Sequence, residues 1–497
     1  MASIVDPRKS VTTCHASYEA LKGKWKRCRD ASAGQDALRA GAQSYIPMLS
    51  EQTPKAYDGY LKRATYYNAT KRTINGLVGM MFRRPVITEV PAGIKDFMDD
   101  ITMAGEPLDI FAQELAREAF EVGRAGMLVD YPQMDTSQSV TVAQAEAMGL
   151  RPMLQRYTAE SIINWRCGPV NNVNRLLMVV LTEEMMVMKD EFAGETKMQY
   201  RVLDLVPDAA DATQLMYRMR VFQINDQTDA QEMIGPEKFP MMNGKPIRDI
   251  PFVFMGVDSI TPDTNLPPLI DLVDLNIAHF RVFADYEHGC HVTGLPTPYI
   301  SGYQAQDGEK LSIGSTAAWV FPDPSTHVGF LEFTGGGLAA LVENLDRKEA
   351  QMAAIGARLL AADKRLNETA TTAAIHHGGE TSILSAVAQV MSLALTKALT
   401  IFAEWAGATG NVDFDINRDF FPVPMDAPTL QALVASWQAG AISAQVLFEN
   451  LQEGEIINSD ATFEQEQAKI ANAPPQGGNA GLPSVSDKSS ATSGTYV

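Results

Sequence analysis

The sequence is short of cysteine, of positive charge and of long apolar runs. Its 497 residues include only 4 cysteines (Cys14, Cys28, Cys167 and Cys290), which are widely separated and form no CxxC pair. A disulfide scaffold or a zinc ribbon is therefore not expected, and a reducing compartment is the natural context. No apolar segment near the N-terminus has the form of a secretory signal. The longest charge-free helical stretch, Thr381–Thr396, is too short and too rich in Ser, Gln and Thr to span a bilayer, so no membrane partner is predicted.

Recognisable catalytic motifs are also missing. No P-loop, HExxH, GxSxG or kinase-like set occurs in the sequence. Asp413, Asp415 and Asn417 imitate the start of a calcium loop, but Arg418 stands where that loop requires glycine. The same residues alternate as in a strand, which is the simpler interpretation. The sequence therefore predicts a protein that is not an enzyme and has no catalytic residues, metal or cofactor.

Two groups of histidines are the remaining candidates for chemistry. His288, Cys290 and His291 crowd together at a predicted helix end, but ligands so close do not easily converge on a metal without a further group elsewhere. His376 and His377 lie in a polar stretch with no oriented acid partner that the sequence identifies. No metal site and no catalytic role is predicted for either group.

Positive charge is concentrated at the N-terminus. Residues 1–84 hold 15 Lys and Arg against 6 Asp and Glu, a net charge of +9. The rest of the chain has a net charge of −28, so the whole chain has −19. The acidic total argues against a simple DNA-binding protein, because attraction to phosphates requires surplus Lys and Arg. One basic group surrounds Trp25 and another lies on a predicted helix from Tyr57 to Met81. These residues are Lys22, Lys24, Lys26, Arg27, Lys62, Arg63, Lys71 and Arg72. Either they form the solvated face of packed helices, or they contact nucleic acid or an acidic protein surface.

The hydrophobic pattern after residue 92 predicts a mixed α+β fold. Residues 93–129 have helical spacing and lead into a strand-like run, Gly126–Pro132. Between residues 153 and 254, short apolar runs separated by turn residues predict a mainly antiparallel β region. Eleven of the 24 methionines lie from Met178 to Met255. We expect them to fill an irregular core, with a methionine-rich partner surface as the alternative.

Two long helices are predicted to enclose a small β module. The first runs from about Pro267 to His288, with Gly289 just after its end. The second, Leu338–Leu360, has leucine or methionine at every seventh position, which predicts a narrow seam against another helix. Its second seam position holds Leu341, Lys348 and Ile355. Between the helices, strand-like runs occur at 296–302, 309–315, 318–322 and 327–333.

The C-terminal part is predicted to be helical and then unstructured. A polar stretch, 361–380, separates the second long helix from a helix at 382–405. Alternation predicts a strand at 412–421, and two helices follow over 427–470. The last 26 residues, 472–497, include 14 Gly, Pro, Ser or Thr and are expected to be disordered.

Several strings in the sequence resemble a family of tailed-phage portal proteins, long catalogued as a domain of unknown function. The most extended is YDGYLKRATYYNATKRTINGLVGMMFRRP, at Tyr57–Pro85. The others are Trp25–Asp30, Gly41–Leu49, Ala284–Gly302, Leu331–Leu360 and Leu366–Ile375. None is an enzyme motif, and their order and spacing from Trp25 to about residue 460 carry the resemblance. The His376-His377 pair departs from the family pattern.

The resemblance implies an α+β portal fold with a helix-and-sheet wing, a two-helix stem, a small β clip and a helical crown. The implied segments are 1–265 for the N-terminal segment and wing, 266–291 for the first stem helix, 292–336 for the clip, 337–362 for the second stem helix, 363–380 for the tunnel loop, 381–471 for the helical wing and crown region, and 472–497 for the disordered tail.

The resemblance also implies a function. About twelve copies would form a ring at one capsid vertex of the virion, assembled in the host cytoplasm. The ring would conduct double-stranded DNA during packaging and ejection, with weak contacts that ignore base sequence. Its other partners would be the large terminase subunit, a head–tail adaptor, and the major capsid and scaffold proteins.

Candidate site residues follow from this implied role. A pore that moves DNA must not hold it tightly, since each phosphate contact with Lys or Arg adds affinity. The acidic stem residues are Asp271, Asp274, Asp285, Glu287, Glu343, Asp346 and Glu349. The DNA-channel candidates are Lys348, Lys364, Arg365, Asn367 and Glu368, and the clip partner surface is Gln304, Gln306, Asp307, Glu309 and Lys310. The eight basic N-terminal residues would contact scaffold, capsid or packaged DNA.

Two alternatives stay open on the sequence. One is a smaller ring such as a head–tail adaptor, against which the chain length and the paired helices argue. The other is an acidic intracellular α/β hydrolase, which requires a catalytic constellation that the sequence does not show.

Overall fold

The computed structural model divides the chain into two compact units, residues 1–420 and 421–497. The described residues are 10–132, 144, 148–211, 213–225, 227–294, 297–302, 320–321, 323–331, 336–357, 370–418, 420, 425, 427–454, 456–457 and 461–472. The predicted strands at 309–315 and 318–322 and the predicted disordered tail lie almost entirely outside them.

Helices and strands are mixed along the first unit. Its helices are α1 Ala16–Ala33, α2 Gln35–Ala40, α3 Pro54–Arg63, α4 Ala69–Met81, α5 Leu108–Val122, α6 Ile270–Gly294, α7 Gly336–Met352 and α8 Ala370–Trp405. Its strands are β1 Ile87–Glu89, β2 Arg124–Asp130, β3 Met153–Thr158, β4 Ile162–Val170, β5 Val173–Met188, β6 Gly194–Pro207, β7 Leu215–Ile224, β8 Gln231–Met233, β9 Met241–Met242, β10 Lys245–Pro246, β11 Phe252–Gly256, β12 Thr297–Ser301, β13 His327–Leu331 and β14 Asp413–Asp415. The α+β class predicted from the sequence is confirmed.

The N-terminal helices form a layer on α6. Trp25 and Cys28 of α1, Tyr57 and Tyr60 of α3, and Phe280 of α6 share one buried cluster. Burying a side chain such as Phe280 contributes about 1.5–3 kcal/mol each to folding, so this cluster fixes α6 firmly against the N-terminal segment.

The predicted helix from Tyr57 to Met81 is in fact two helices. The backbone leaves the helical region at Ala64 (φ −58°, ψ 125°), which ends α3. The side chain of Asn68 then accepts a hydrogen bond from the Lys71 amide and starts α4. Asn68 is a strong N-cap residue, and this local signal outweighs the continuous apolar spacing that predicted a single helix.

The β region is antiparallel, as predicted. One sheet has the order β4-β5-β6-β7-β8, and a second has the order β11-β2-β3. Every residue of β2 is buried, because α5 and α8 cover it. Strand β14 pairs with β1 rather than with a neighbour in sequence and is only three residues long, shorter than the predicted run 412–421.

The methionines of the β region are divided between core and surface. Met219 and Met255 are buried, as predicted for core residues. Met186, Met188 and Met241 are more than half exposed. The prediction of a packed methionine core therefore holds for only part of the set.

Helices α6 and α7 pack against each other, so the heptad seam predicted for the second long helix does lie against another helix, α6. Leu345 and Met352, two of the repeat positions, are buried. The sequence predicted that Gly289 would end α6, but this residue lies inside the helix. A Cβ atom at this position would lie 2.5 Å from the Leu338 side chain. Glycine allows close approach of the two helices there. A π-helical turn, Ala353–Ala357, continues the chain beyond α7.

Helix α8 begins earlier than predicted. The sequence was expected to stay non-helical until residue 381, but the helix starts at Ala370 and includes His376 and His377. The prediction rested on the polar composition of residues 361–380, but this segment also contains several alanines, and alanine favours helix most. Over Ile383–Trp405 this helix is long and apolar enough to cross a membrane by length and composition alone, but 61% of that stretch is buried inside the protein. The burial is that of a core helix.

The second unit contains helices α9 Ala427–Gln438, α10 Ala444–Glu453 and α11 Phe463–Asn472. Two helices were predicted over this segment, and the described part has three. At the first of the two breaks, the side chain of Ser443 accepts a hydrogen bond from the Val446 amide and starts α10.

Candidate functional site: the α6–α7 hairpin and the basic helices beside it

Helices α6 and α7, together called the α6–α7 hairpin below, differ in what buries them. Helix α6 is buried along one side by the N-terminal helices, whereas Leu345 and Met352 are the buried side chains of α7. One contact joins the helices: Nε2 of the buried His279 lies 3.2 Å from a carboxylate oxygen of Glu349, which is itself exposed. Burial lowers the pKa of His279, and the nearby Glu349 carboxylate opposes this effect. His279 is therefore a neutral link at neutral pH.

The predicted acidic stem residues fall into two groups. On α6, Asp274 forms an ion pair with Arg27 (3.0 Å) and Asp285 accepts a hydrogen bond from the Tyr60 hydroxyl (2.5 Å). These two carboxylates are thus engaged with the N-terminal helices. The residues Asp271, Glu343, Asp346 and Glu349 are exposed, and Glu287 is half-buried. The exposed acidic surface of the hairpin lies mainly on α7.

The predicted DNA-channel and clip residues are only partly described. Lys348 lies on α7, half-buried. Lys364, Arg365, Asn367 and Glu368 lie outside the described residues, as do Gln304, Gln306, Asp307, Glu309 and Lys310. Between α6 and α7, β12 and β13 pair antiparallel, with Thr297 opposite Leu331 and Ser301 opposite His327. These two strands lie at the strand-like runs predicted at 296–302 and 327–333, within the predicted clip.

Several of the predicted basic contact residues are paired inside the chain. Lys22 is 2.5 Å from Glu19, Lys26 is 2.7 Å from Asp30, and Lys62 is 2.8 Å from Asp58. Arg27 pairs with Asp274 as described above, and Arg63 contacts His288. Arg72 lies over the Tyr67 ring, Lys71 is exposed and Lys24 is half-buried. These pairs on exposed surfaces are weak, so they leave the cations available to an outside partner.

One strong ionic cluster was missed by the sequence analysis. Arg29 contacts Glu118 (2.6 Å), Glu121 (2.5 Å) and Glu160 (2.9 Å), which come from α5 and from the turn before β4. Burial opposes the charge on Arg29, but hydrogen bonds to Glu160 and Glu118 raise its pKa. Burial raises the pKa of Glu118, with Arg29 opposing it. No local sequence signal joins residues so far apart.

A second missed residue is Arg124, at the start of β2. Its side chain is 1% exposed, and none of its three guanidinium nitrogens makes a hydrogen bond. The guanidinium lies over the rings of Trp165 (3.9 Å to the centroid) and Phe254 (5.3 Å). Burial lowers the pKa of Arg124 to about 9, partly offset by Asp263. An unpaired buried cation is costly, and stacking on aromatic rings is its compensation.

A cavity of about 800 Å³ beside β3, β5 and β6 tests the hydrolase alternative. Its charged lining residues are largely paired: Arg201 with Glu183 (2.8 Å) and Arg156 with Glu106 (3.1 Å). The residues that line it include no histidine or cysteine, and Glu160, the carboxylate that the Thr158 hydroxyl contacts, is already paired with Arg29 (2.9 Å). This cavity gives the hydrolase interpretation no support.

Metal binding has no geometric support in the described part of the chain. No group of three or more His, Cys, Asp or Glu there is placed to hold a metal ion. His288, one of the histidines considered from the sequence, instead contacts Arg63 and packs edge-on against Tyr60.

Comparison with known proteins gives one family match and remote likenesses of fold. Residues 268–406 match a family described as a domain of unknown function (DUF4055). No curated protein matches the chain. The solved structures with similar chains include "Virion of native gene transfer agent (GTA) particle" (11% identity, TM-score 0.36, 82% of this chain and 96% of that chain). Others are "Neck of empty GTA particle computed with C6 symmetry" (12%, 0.39, 81% and 94%) and "Neck of native GTA particle computed with C12 symmetry" (11%, 0.37, 83% and 98%). At these identities and TM-scores the likeness assigns no function.

Proposed function

We propose that the chain is a phage portal protein, the subunit of a ring that conducts double-stranded DNA into and out of a capsid. The observation that supports the proposal most is the α6–α7 hairpin. It consists of two long packed helices with a β hairpin between them, in the order that the resemblance to portal proteins implies. Three of the strings that carry the resemblance lie within residues 268–406, where the family match falls.

Exposed apolar residues on α7 and the turn after it support assembly. Val342 is 38% exposed and Ile355 is 39% exposed, although Ile355 belongs to the second position of the heptad seam. Leu345, at the first position, is buried, and Leu341, at the second, is half-buried, so the seam is exposed at the Ile355 end. An exposed apolar end of a seam can be covered by a further neighbour, and in a closed ring that neighbour is the next copy of the chain.

Exposed carboxylates on α7 suit a channel wall. Glu343, Asp346 and Glu349 are exposed along one helix. A wall of this sign repels phosphates, so DNA slides past it without being retained. Lys364 and Arg365 would supply the sparse backbone contacts, and the clip residues Gln304–Lys310 would meet the large terminase subunit and then the head–tail adaptor. The basic N-terminal residues would hold the ring to capsid and scaffold proteins.

The experiment that tests the proposal is a mass measurement on the purified full chain by light scattering. A ring of about twelve copies has roughly twelve times the chain mass of 54.2 kDa. The variant Ile355→Asp places a charge on the open seam and should shift the mass toward the single chain. Glu343→Gln is the matched control on the exposed face. A wild-type chain that stays monomeric at all concentrations overturns the proposal.

A further inference from the structure

A concave basic site lies where α3 meets the C-terminal half of α6. Its volume is about 430 Å³. It is lined by Thr53, Lys55, Ala56, Gly59, Arg63, His288 and His291. Two of these side chains carry a full positive charge and two are imidazoles, while none of the lining residues is a carboxylate. The whole chain has the opposite balance, with 60 acidic and 41 basic residues.

Helix geometry explains why the basic side chains converge. Ala56, Gly59 and Arg63 are three and four positions apart, so they share one face of α3, and His288 and His291 are three apart on α6. A Cβ atom on Gly59 would lie 3.5 Å from Arg63 Nη1, so the guanidinium packs beside the glycine, one turn before Arg63 in the helix. The absence of a side chain at Gly59 keeps the site open.

Arg63 and His288 form the best-defined contact in the site. Arg63 Nη2 lies 3.2 Å from His288 Nδ1. A guanidinium only donates, so Nδ1 accepts and the proton of the neutral imidazole is on Nε2. Burial lowers the pKa of His288, the charges of Arg63 and His291 lower it further, and Asp285 opposes them. Arg63 Nε is buried and makes no hydrogen bond. The site therefore contains positive charge and donor capacity that the chain itself does not satisfy.

The N-terminus of α3 adds to the same positive field. Thr53 caps this 10-residue helix by accepting a hydrogen bond from the Ala56 amide (3.2 Å), and Thr53, Lys55 and Ala56 all line the site. The positive end of the helix dipole therefore lies at its edge.

We propose that this site binds a phosphate group. A tetrahedral anion accepts hydrogen bonds in several directions, which matches donors that arrive from two helices. The source is either the backbone of a nucleic acid or a free phosphate. The site is complete within one chain, so the inference does not depend on ring formation.

The test is calorimetric titration of the purified full chain with inorganic phosphate. We expect saturable binding of one phosphate per chain. Lys55→Gln and Arg63→Gln should each weaken it by about tenfold or more, since each removes a charged donor. Lys62→Gln is the matched control: it lies on the same helix, is exposed and pairs with Asp58 at 2.8 Å. It should change the affinity by less than about twofold. Lys55 is exposed, so its variant tests the site even if the Arg63 variant is unstable.

A second series uses sulfate, whose charge does not change near neutral pH. If the anion draws the Arg63 guanidinium away from His288 Nδ1, this nitrogen is free to accept a proton, so sulfate should bind more tightly at about pH 6 than at about pH 8. The groups that face His288 are Tyr60 and Arg63 from α3 and Asp285 and His291 from α6. His288→Gln should reduce this pH dependence.

Short double-stranded DNA identifies the source of the phosphate. If the site takes backbone phosphate, Lys55→Gln should lower the slope of log affinity against log salt by about 1. Phosphate binding without that change in slope assigns the site to free phosphate. The proposal is overturned if neither phosphate nor sulfate binds saturably, or if Lys62→Gln weakens binding as much as Lys55→Gln.

Discussion

At the scale of single residues, Arg29 is the centre of an ionic cluster. It lies among three carboxylates, two of which are on α5 and one before β4. Removing one partner of a buried ionic cluster leaves the others uncompensated. Arg29 therefore joins the N-terminal helix α1 to the centre of the first unit.

Arg29→Met should destabilise the protein by about 3–5 kcal/mol at neutral pH, because Glu118, Glu121 and Glu160 then repel one another without a cation. The loss should shrink at about pH 4, because burial raises the pKa of Glu118 and this carboxyl accepts a proton there. Urea unfolding at both pH values measures it. Lys22→Met, which removes an exposed partner of Glu19, is the control and should cost less than about 1 kcal/mol. Equal losses for the two variants would contradict the role of Arg29.

Removing the charge of Arg124 is expected to have the opposite effect on stability from removing that of Arg29. Its pKa is lowered to about 9 by burial, below that of an exposed arginine. The unfolded chain therefore binds more protons above about pH 9, and stability gained from this group rises with pH there. At neutral pH the buried charge is a cost.

Arg124→Met should therefore stabilise the protein by about 1–3 kcal/mol at neutral pH, since an apolar side chain of similar length replaces an unpaired buried cation. The advantage over wild type should decrease above about pH 9. Thermal unfolding of both proteins across this pH range is the measurement. A variant that is less stable than wild type at neutral pH would show that stacking on Trp165 outweighs the burial cost.

These residues could not be identified from sequence. Arg29 and Glu160 are 131 positions apart, and no pattern near either one indicates that they meet. Pairings of this kind are set by the tertiary fold, which local periodicity does not encode. The heptad positions Leu345 and Met352 were predictable because their burial depends on helical spacing alone.

At the scale of elements, the α6–α7 hairpin was predicted closely and its ends were not. Both helices and their contact follow from apolar periodicity, which is strong over long segments. The expected helix end at Gly289 was wrong because the glycine serves helix packing rather than termination. The break between α3 and α4 was missed because a single capping residue, Asn68, decides it.

Gly289→Val should destabilise the hairpin by about 1–3 kcal/mol, because its side chain overlaps that of Leu338. Leu338→Ala in the same chain should recover part of the loss by making room for it. A double-mutant cycle from urea unfolding measures the coupling. Additive effects of the two changes would show that the helices do not touch at this point.

Deletion of Gln304–Ser315 should spare folding and abolish docking of the large terminase subunit, if the segment between β12 and β13 is the clip surface. Circular dichroism and terminase pull-down with the deleted protein measure the two properties. Continued DNA packaging with the deletion in place would refute this role.

At the scale of the whole molecule, the shortage of positive charge has a specific meaning. The chain carries −19, yet residues 1–84 carry +9. On α6, Asp274 and Asp285 contact side chains of the N-terminal helices. On α7, the carboxylates are exposed to solvent. We propose that the acidic surface of many copies lines a conduit and that the basic segment makes the attachments.

Negative-stain electron microscopy of the purified full chain tests this account most directly. The account predicts closed rings of about twelve or thirteen units around a central hole. A homogeneous field of compact single chains, at concentrations where the protein is folded, would contradict it.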